Sequence, residues 1–137
     1  MKKQILIWII LVMIIYASPL HSQMASSYLN QGNTEFMKKE YENALKSYSK
    51  AIELNPKSAL AHVKRGNTYS ALQKFDEAIV DFSIAISIDD KNGEAYYGRG
   101  MARLSNGSKQ PNYCDDLMKA KKCGYREARN AIKEFCK

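Results

Sequence analysis

A chain of 137 residues, 45% hydrophobic and 26% charged, has the length for one domain and is too apolar to be a disordered tail. Its 21 basic and 14 acidic side chains give a formal charge of +7, an excess too mild to read as a nucleic-acid footprint.

The chain opens with MKKQILIWIILVMIIYASPLHSQ. Lys2 and Lys3 form a basic start, Ile5 to Tyr16 an apolar run, and helix-breaking Pro19 begins a short polar stretch. Together they read as a secretory signal peptide over residues 1–22, cut after Ser22 to leave Gln23. The run is short for a membrane span, and no cysteine stands near the cut to accept a lipid. The expected location is therefore exported, periplasmic or secreted, with no membrane attachment after cleavage; an uncleaved N-terminal anchor is the alternative. Cleavage removes two lysines and no acid, leaving 19 basic against 14 acidic side chains, a charge of +5.

Beyond this segment the chain repeats itself. EYENALKSYSKAIELNP, residues 40–56, matches KFDEAIVDFSIAISIDD, residues 74–90, class for class at a spacing of 34. The mature chain divides into units 25–58, 59–92 and 93–124, with a last segment 125–137. Each unit carries two apolar periodicities of helical type, which predicts helices over 25–38, 41–54, 59–72, 75–88, 93–106 and 112–122. Asn55–Pro56 stops the first pair and DDKNG the second. Gly32, Gly66 and Gly100 share one phase and Ala51, Ala85 and Ala120 another, so paired helices should approach closely there. In the last segment Ala128, Ala131, Ile132 and Phe135 fall on one face, which predicts a capping helix over 126–136.

The pattern resembles the tetratricopeptide repeat. Tyr28, Gly32, Tyr41, Ala44, Tyr48, Ala51 and Pro56 carry the resemblance in the first unit. His62, Gly66, Tyr69, Phe75, Ala78, Phe82 and Ala85 carry it in the second. The third keeps Tyr96, Gly100, Leu117 and Ala120, but its loop SNGSKQPN holds one extra residue and Tyr113 replaces the small alanine. Glu35 stands for the usual aromatic of the first unit and Asp90 for the closing proline of the second. The resemblance implies an all-α solenoid of three helix-turn-helix repeats with a C-terminal cap, ending as small exported bacterial members of the family do. It also implies a concave groove, lined by the first helix of each pair, that holds a partner's peptide or helix. The groove phases fall on Leu29, Asn33, Phe36 and Met37, then Val63, Lys64 and Asn67, then Tyr97, Met101 and Leu104. A subclass of the family clamps a terminal carboxylate; of its five positions only Asn33 matches, the others being Leu29, Lys64, Glu94 and Gly98.

No constellation for catalysis emerges. His62, alone after residue 22, sits at a packing phase. Asp89 with Asp90, and Asp115 with Asp116, are adjacent along helices, where neighbours do not face each other; both pairs read as helix-start caps. With no phosphate loop, dinucleotide fingerprint or zinc spacing, neither cofactor nor metal is expected. The basic run KAKKCGYR reads first as cations favoured at a helix C-terminus, with a surface for an acidic partner as the alternative. Cys114 and Cys123 lie about 13 Å apart along one helix and cannot pair. An antiparallel cap helix returns Cys136 to the level of Cys114, which predicts that disulfide and leaves Cys123 as a buried apolar substitute.

The expected function is a non-enzymatic adaptor or scaffold for another envelope or exported protein, with no nucleic-acid partner. A self-associating structural protein of the cell envelope is the alternative, and a redox protein using Cys123 a weaker one. Signal processing predicts that mass spectrometry of exported protein finds an N-terminus at or near Gln23; an intact Met1 indicates the anchor instead.

Overall fold

The computed structural model describes residues 2–107 and 112–136. The described residues form seven helices and no strand: α1 (Lys2–Met37), α2 (Tyr41–Leu54), α3 (Ala59–Ala71), α4 (Phe75–Ile88), α5 (Gly93–Ser105), α6 (Asn112–Lys122) and α7 (Ala128–Phe135). Helices α1–α2, α3–α4 and α5–α6 are the three pairs, stacked in chain order, with α7 against α6. From α2 to α6 the bounds fall within one residue of those read from periodicity. Residues 108–111, part of the third unit's irregular loop, lie outside the described residues.

The first helix corrects the sequence reading, since it begins at Lys2 rather than near residue 25 and passes through Pro19. Proline removes one backbone N–H, but turns on both sides can carry the helix across that gap. Among the described residues no helix is long and apolar enough to cross a membrane.

The turns repeat like the helices. Lys39 and Gln73, 34 apart, both take positive φ, 62° and 59°. Each is followed by a helix-closing bond: Glu40 N–H to Glu35 O and Lys74 N–H to Tyr69 O, both 2.9 Å. Gly124, φ 85°, ends α6 in the same way, with Tyr125 N–H donating to Ala120 O at 3.0 Å. That turn takes up residues 125–127, so the cap helix starts at Ala128, two residues later than predicted. Ser58 and Asn92 cap α3 and α5, their side chains accepting from Ala61 N–H and Ala95 N–H.

Glycines hold the stack tight. A Cβ on Gly32 would sit 2.6 Å from the Tyr48 ring, and one on Gly98 2.5 Å from the Phe82 ring. Phe82 also lies under Gly66, so this fully buried ring is wedged between α3 and α5. Around it Val63, Ala78, Ala85, Ala95 and Ala102 form the central core, small residues that let helices close on one large ring.

Cys114 and Cys136 are joined, with Cα atoms 5.7 Å apart. Tyr113, the bulky departure from the small-residue phase, donates its hydroxyl to Phe135 O at 3.1 Å. Both contacts tie the end of α7 to the start of α6. Cys123 is exposed, not buried. Its phase is a rim position in every unit: Leu54 is half-buried and Ile88 38% exposed.

Two outcomes follow. Cys114→Ser with Cys136→Ser should lower unfolding free energy by about 3 kcal/mol, read by urea denaturation, since the crosslink restrains a loop of moderate length in the unfolded chain. Gly98→Ala should cost about 1–3 kcal/mol by displacing Phe82, whereas Gly107→Ala, where a Cβ meets nothing, is strained only by its positive φ.

Candidate functional site

Helices α1 and α3 lie side by side on the same face of the stack, and the space between them is a cleft of ≈ 290 Å³. Asn33, Phe36 and Met37 line it from α1, Lys64 and Asn67 from α3, and Tyr48 from α2. One repeat further on, Ser70, Ala71, Phe75 and Met101 line a second cleft of ≈ 360 Å³ between α3 and α5. The two are related by the repeat: Phe36, Met37 and Asn67 of the first return as Ser70, Ala71 and Met101 of the second.

Each asparagine is half committed to the scaffold. Asn33 Oδ1 accepts from the Tyr48 hydroxyl at 2.9 Å. Asn67 Nδ2 donates to Glu94 Oε1 at 2.9 Å, and Lys64 Nζ reaches the same oxygen at 3.4 Å. The Asn33 amide nitrogen and the Asn67 amide oxygen take no part in these bonds, which leaves the cleft a donor group and an acceptor group. Phe36 packs edge-on against Tyr41, ring centres 5.4 Å apart, and Met37 stands 84% exposed at the rim.

The structure thus brings together Asn33, Phe36, Met37, Lys64 and Asn67, with Met101 in the next cleft. It places the other expected groove residues elsewhere. Val63 is fully buried, because the middle helix is covered from both sides at that phase. Leu29 lines a separate cavity of ≈ 50 Å³ beside Ser58 and Ala61. Tyr97 packs on Tyr125 at 5.0 Å, covered by the turn into the cap. Leu104 is half-buried on α5 and lines neither cleft.

A ladder of ion pairs with buried carboxylates, which the sequence reading missed, runs through the stack. Arg65 grips Asp81 with Nε at 2.7 Å and Nη2 at 2.8 Å, and its Nη1 donates to Ser49 of the preceding repeat at 3.0 Å. Arg99 grips Asp116 with Nε at 3.0 Å and Nη2 at 2.8 Å, and its Nη1 donates to Ser83 at 3.1 Å. Arg103 adds a third bond to Asp116 at 2.6 Å. Asp116 is therefore a buried partner of two arginines, not a helix-start cap. Asp89 is likewise no start cap: it closes α4 and accepts from Lys91 N–H at 3.1 Å. His62 packs as expected, its Nδ1 3.0 Å from Asp81. The 34-residue return of Arg65 as Arg99 and Ser49 as Ser83 is the signal that could have revealed the ladder. Asp81 and Asp116 are 35 apart, offset by the extra loop residue.

Among the described residues no group of His, Cys, Asp or Glu is arranged to hold a metal ion. The most perturbed group is Tyr48, whose hydroxyl pKa is pushed up to about 12 by burial and by the nearby Glu35 carboxylate. Asp81 holds the Arg65 guanidinium above its usual value by accepting its hydrogen bonds.

A profile of the TPR repeat matches residues 32–73 and 66–107. The first TPR of Spaghetti (RPAP3), bound to the HSP90 peptide SRMEEVD, superposes with a TM-score of 0.78 at 26% identity, over 82% of this chain and 90% of that one. The second TPR of the same protein, bound to the same peptide, gives 0.75 at 30% identity over 79% and 98%. The Arabidopsis OM64 TPR domain gives 0.79 at 28% identity over 83% and 95%. No curated protein matches the chain.

Asp116→Ala should destabilise by about 1–3 kcal/mol in thermal or urea unfolding, because it removes the buried carboxylate that the half-buried Arg99 and Arg103 share. Tyr48 keeps its proton in the folded state through pH 10, where an unfolded tyrosine begins to lose it. Stability from this group is therefore full below pH 10 and lost as pH rises toward about 12. Tyr48→Phe should flatten that alkaline decline, measured as melting temperature against pH.

Proposed function

The chain belongs to the TPR repeat family, and on that premise we propose that it is an adaptor without catalytic activity that holds an extended segment of another protein in its concave face. The observation that carries this reading is the cleft between α1 and α3, where an amide donor, an amide acceptor and two apolar side chains converge. A peptide main chain presents the same donors and acceptors, and Phe36 and Met37 offer it apolar anchorage.

The segment enters by its main chain rather than by a terminal carboxylate. The Spaghetti domains are bound to peptides ending in EEVD. Here Glu94 reaches Lys64 and Asn67, so a carboxylate arriving there meets a like charge, and the lysine is already paired. Export is part of the proposal. It is supported by the basic-apolar start of the chain, by the exposure of His21, Ser22, Gln23 and Met24, and by a disulfide of the kind that persists in oxidising compartments. The partner is then an envelope or exported protein.

Replacing Asn33 and Asn67 is a blunt test, since both also bond to the scaffold. Met37 is cleaner. Because it is 84% exposed, Met37→Glu should shift stability by no more than about 0.5 kcal/mol, yet weaken partner capture by about tenfold or more. A crosslinker placed at residue 37 in the intact cell envelope should mark the partner. Capture by the Met37→Glu protein equal to that of the wild type would overturn the reading.

A further inference from the structure

Another recess, of ≈ 480 Å³, lies between the α4–α5 turn and the C-terminal half of α6, lined by Asp90, Lys91, Tyr96, Lys119, Lys122 and Cys123. It shares no residue with the clefts between first helices. Its size falls in the range that encloses a small ligand or a few peptide residues. Three lysines against one aspartate make it cationic. The α6 macrodipole accounts for Lys119 and Lys122 in that helix's last turns, but not for Lys91, which joins them from another element across the recess. Lys119 is also held in place, its ammonium 5.4 Å from the centre of the Tyr96 ring. A lysine positioned in advance loses less side-chain freedom when an anion arrives.

We propose that this recess is a second docking site, which takes an acidic segment of a protein partner, its carboxylates pairing with Lys91, Lys119 and Lys122. Charge complementarity selects the occupant. A second copy of this net-basic chain is disfavoured by like charge, and a flat bilayer surface does not enter a recess. With one segment held in the concave cleft and another here, the chain bridges two segments of a partner or two partners.

Cys123 supplies the readout, since it is the one free thiol and lines the recess. The rate of its alkylation by iodoacetamide is measured in the full chain, with and without an acetylated pentapeptide of four glutamates around one phenylalanine. At a peptide concentration twice the dissociation constant the rate should fall roughly threefold. The glutamine version of the peptide should not protect, and salt should weaken the effect. Lys119→Glu with Lys122→Glu should weaken protection by roughly tenfold, compared as a ratio within each variant because the substitutions also change the thiol's own reactivity. Lys91→Glu, on the turn, should act in the same direction if the first variant fails to fold. Met37→Glu should leave protection intact, which separates this site from the concave one. No protection, equal protection by the glutamine peptide, or protection only by phosphatidylserine vesicles overturns the proposal.

Discussion

The buried arginine–aspartate fork is the contact on which the stack depends. A single helix pair has no closed core, so each repeat must be locked to the next in a defined register. Apolar packing alone is tolerant of sliding, whereas a guanidinium that must meet a carboxylate bidentately and a serine on the preceding repeat accepts one arrangement. Arg65 joins α3 to α4 and to α2; Arg99 joins α5 to α6 and to α4. The cost of burying the two carboxylates is offset because each accepts three hydrogen bonds, and among the described residues no buried side-chain polar atom lacks a partner.

Once register is set, close approach follows. Phe82 lodges between Gly66 and Gly98, beside the forks that join α3 to α4 and α5 to α6, and Tyr48 lies beneath Gly32 in the first pair, where Ser47 donates to Glu35 instead. The Tyr48 hydroxyl, carried to the far side of its helix pair, positions Asn33 in the concave cleft. The scaffold and the site are therefore one construction. Asn33 and Asn67 each spend one half of the amide on the stack and present the other half to a ligand.

The ends of the solenoid are managed differently. At the C-terminus a short helix, a disulfide and the Tyr113 hydroxyl cover the last pair, and the turn that starts the cap places Tyr125 over Tyr97. The cap thereby withdraws one first-helix side chain from the concave face. Gly93 admits Tyr125 and Cys123 at close range, which seats that turn against the start of α5.

The sequence by itself determined the repeat. Small and aromatic residues returning every 34 positions set the helix pairs, their bounds from α2 to α6, and the close contacts at Gly32, Gly66 and Gly100, because helical periodicity and steric exclusion are local or nearest-neighbour effects. It also placed Asn33, Phe36, Met37, Lys64 and Asn67 on first helices. Which of these phases open into a cleft was decided only in three dimensions. Val63 is shut in by a neighbour on each side, and Tyr97 is covered by a turn 28 residues further along the chain. Leu29 faces a different cavity. The exposure of Cys123 and the burial of Asp116 were decided in three dimensions as well, although the return of Arg65 as Arg99 hinted at the second. Each depends on what the folded chain brings against a residue from outside its own helix, and one-dimensional spacing does not carry that information.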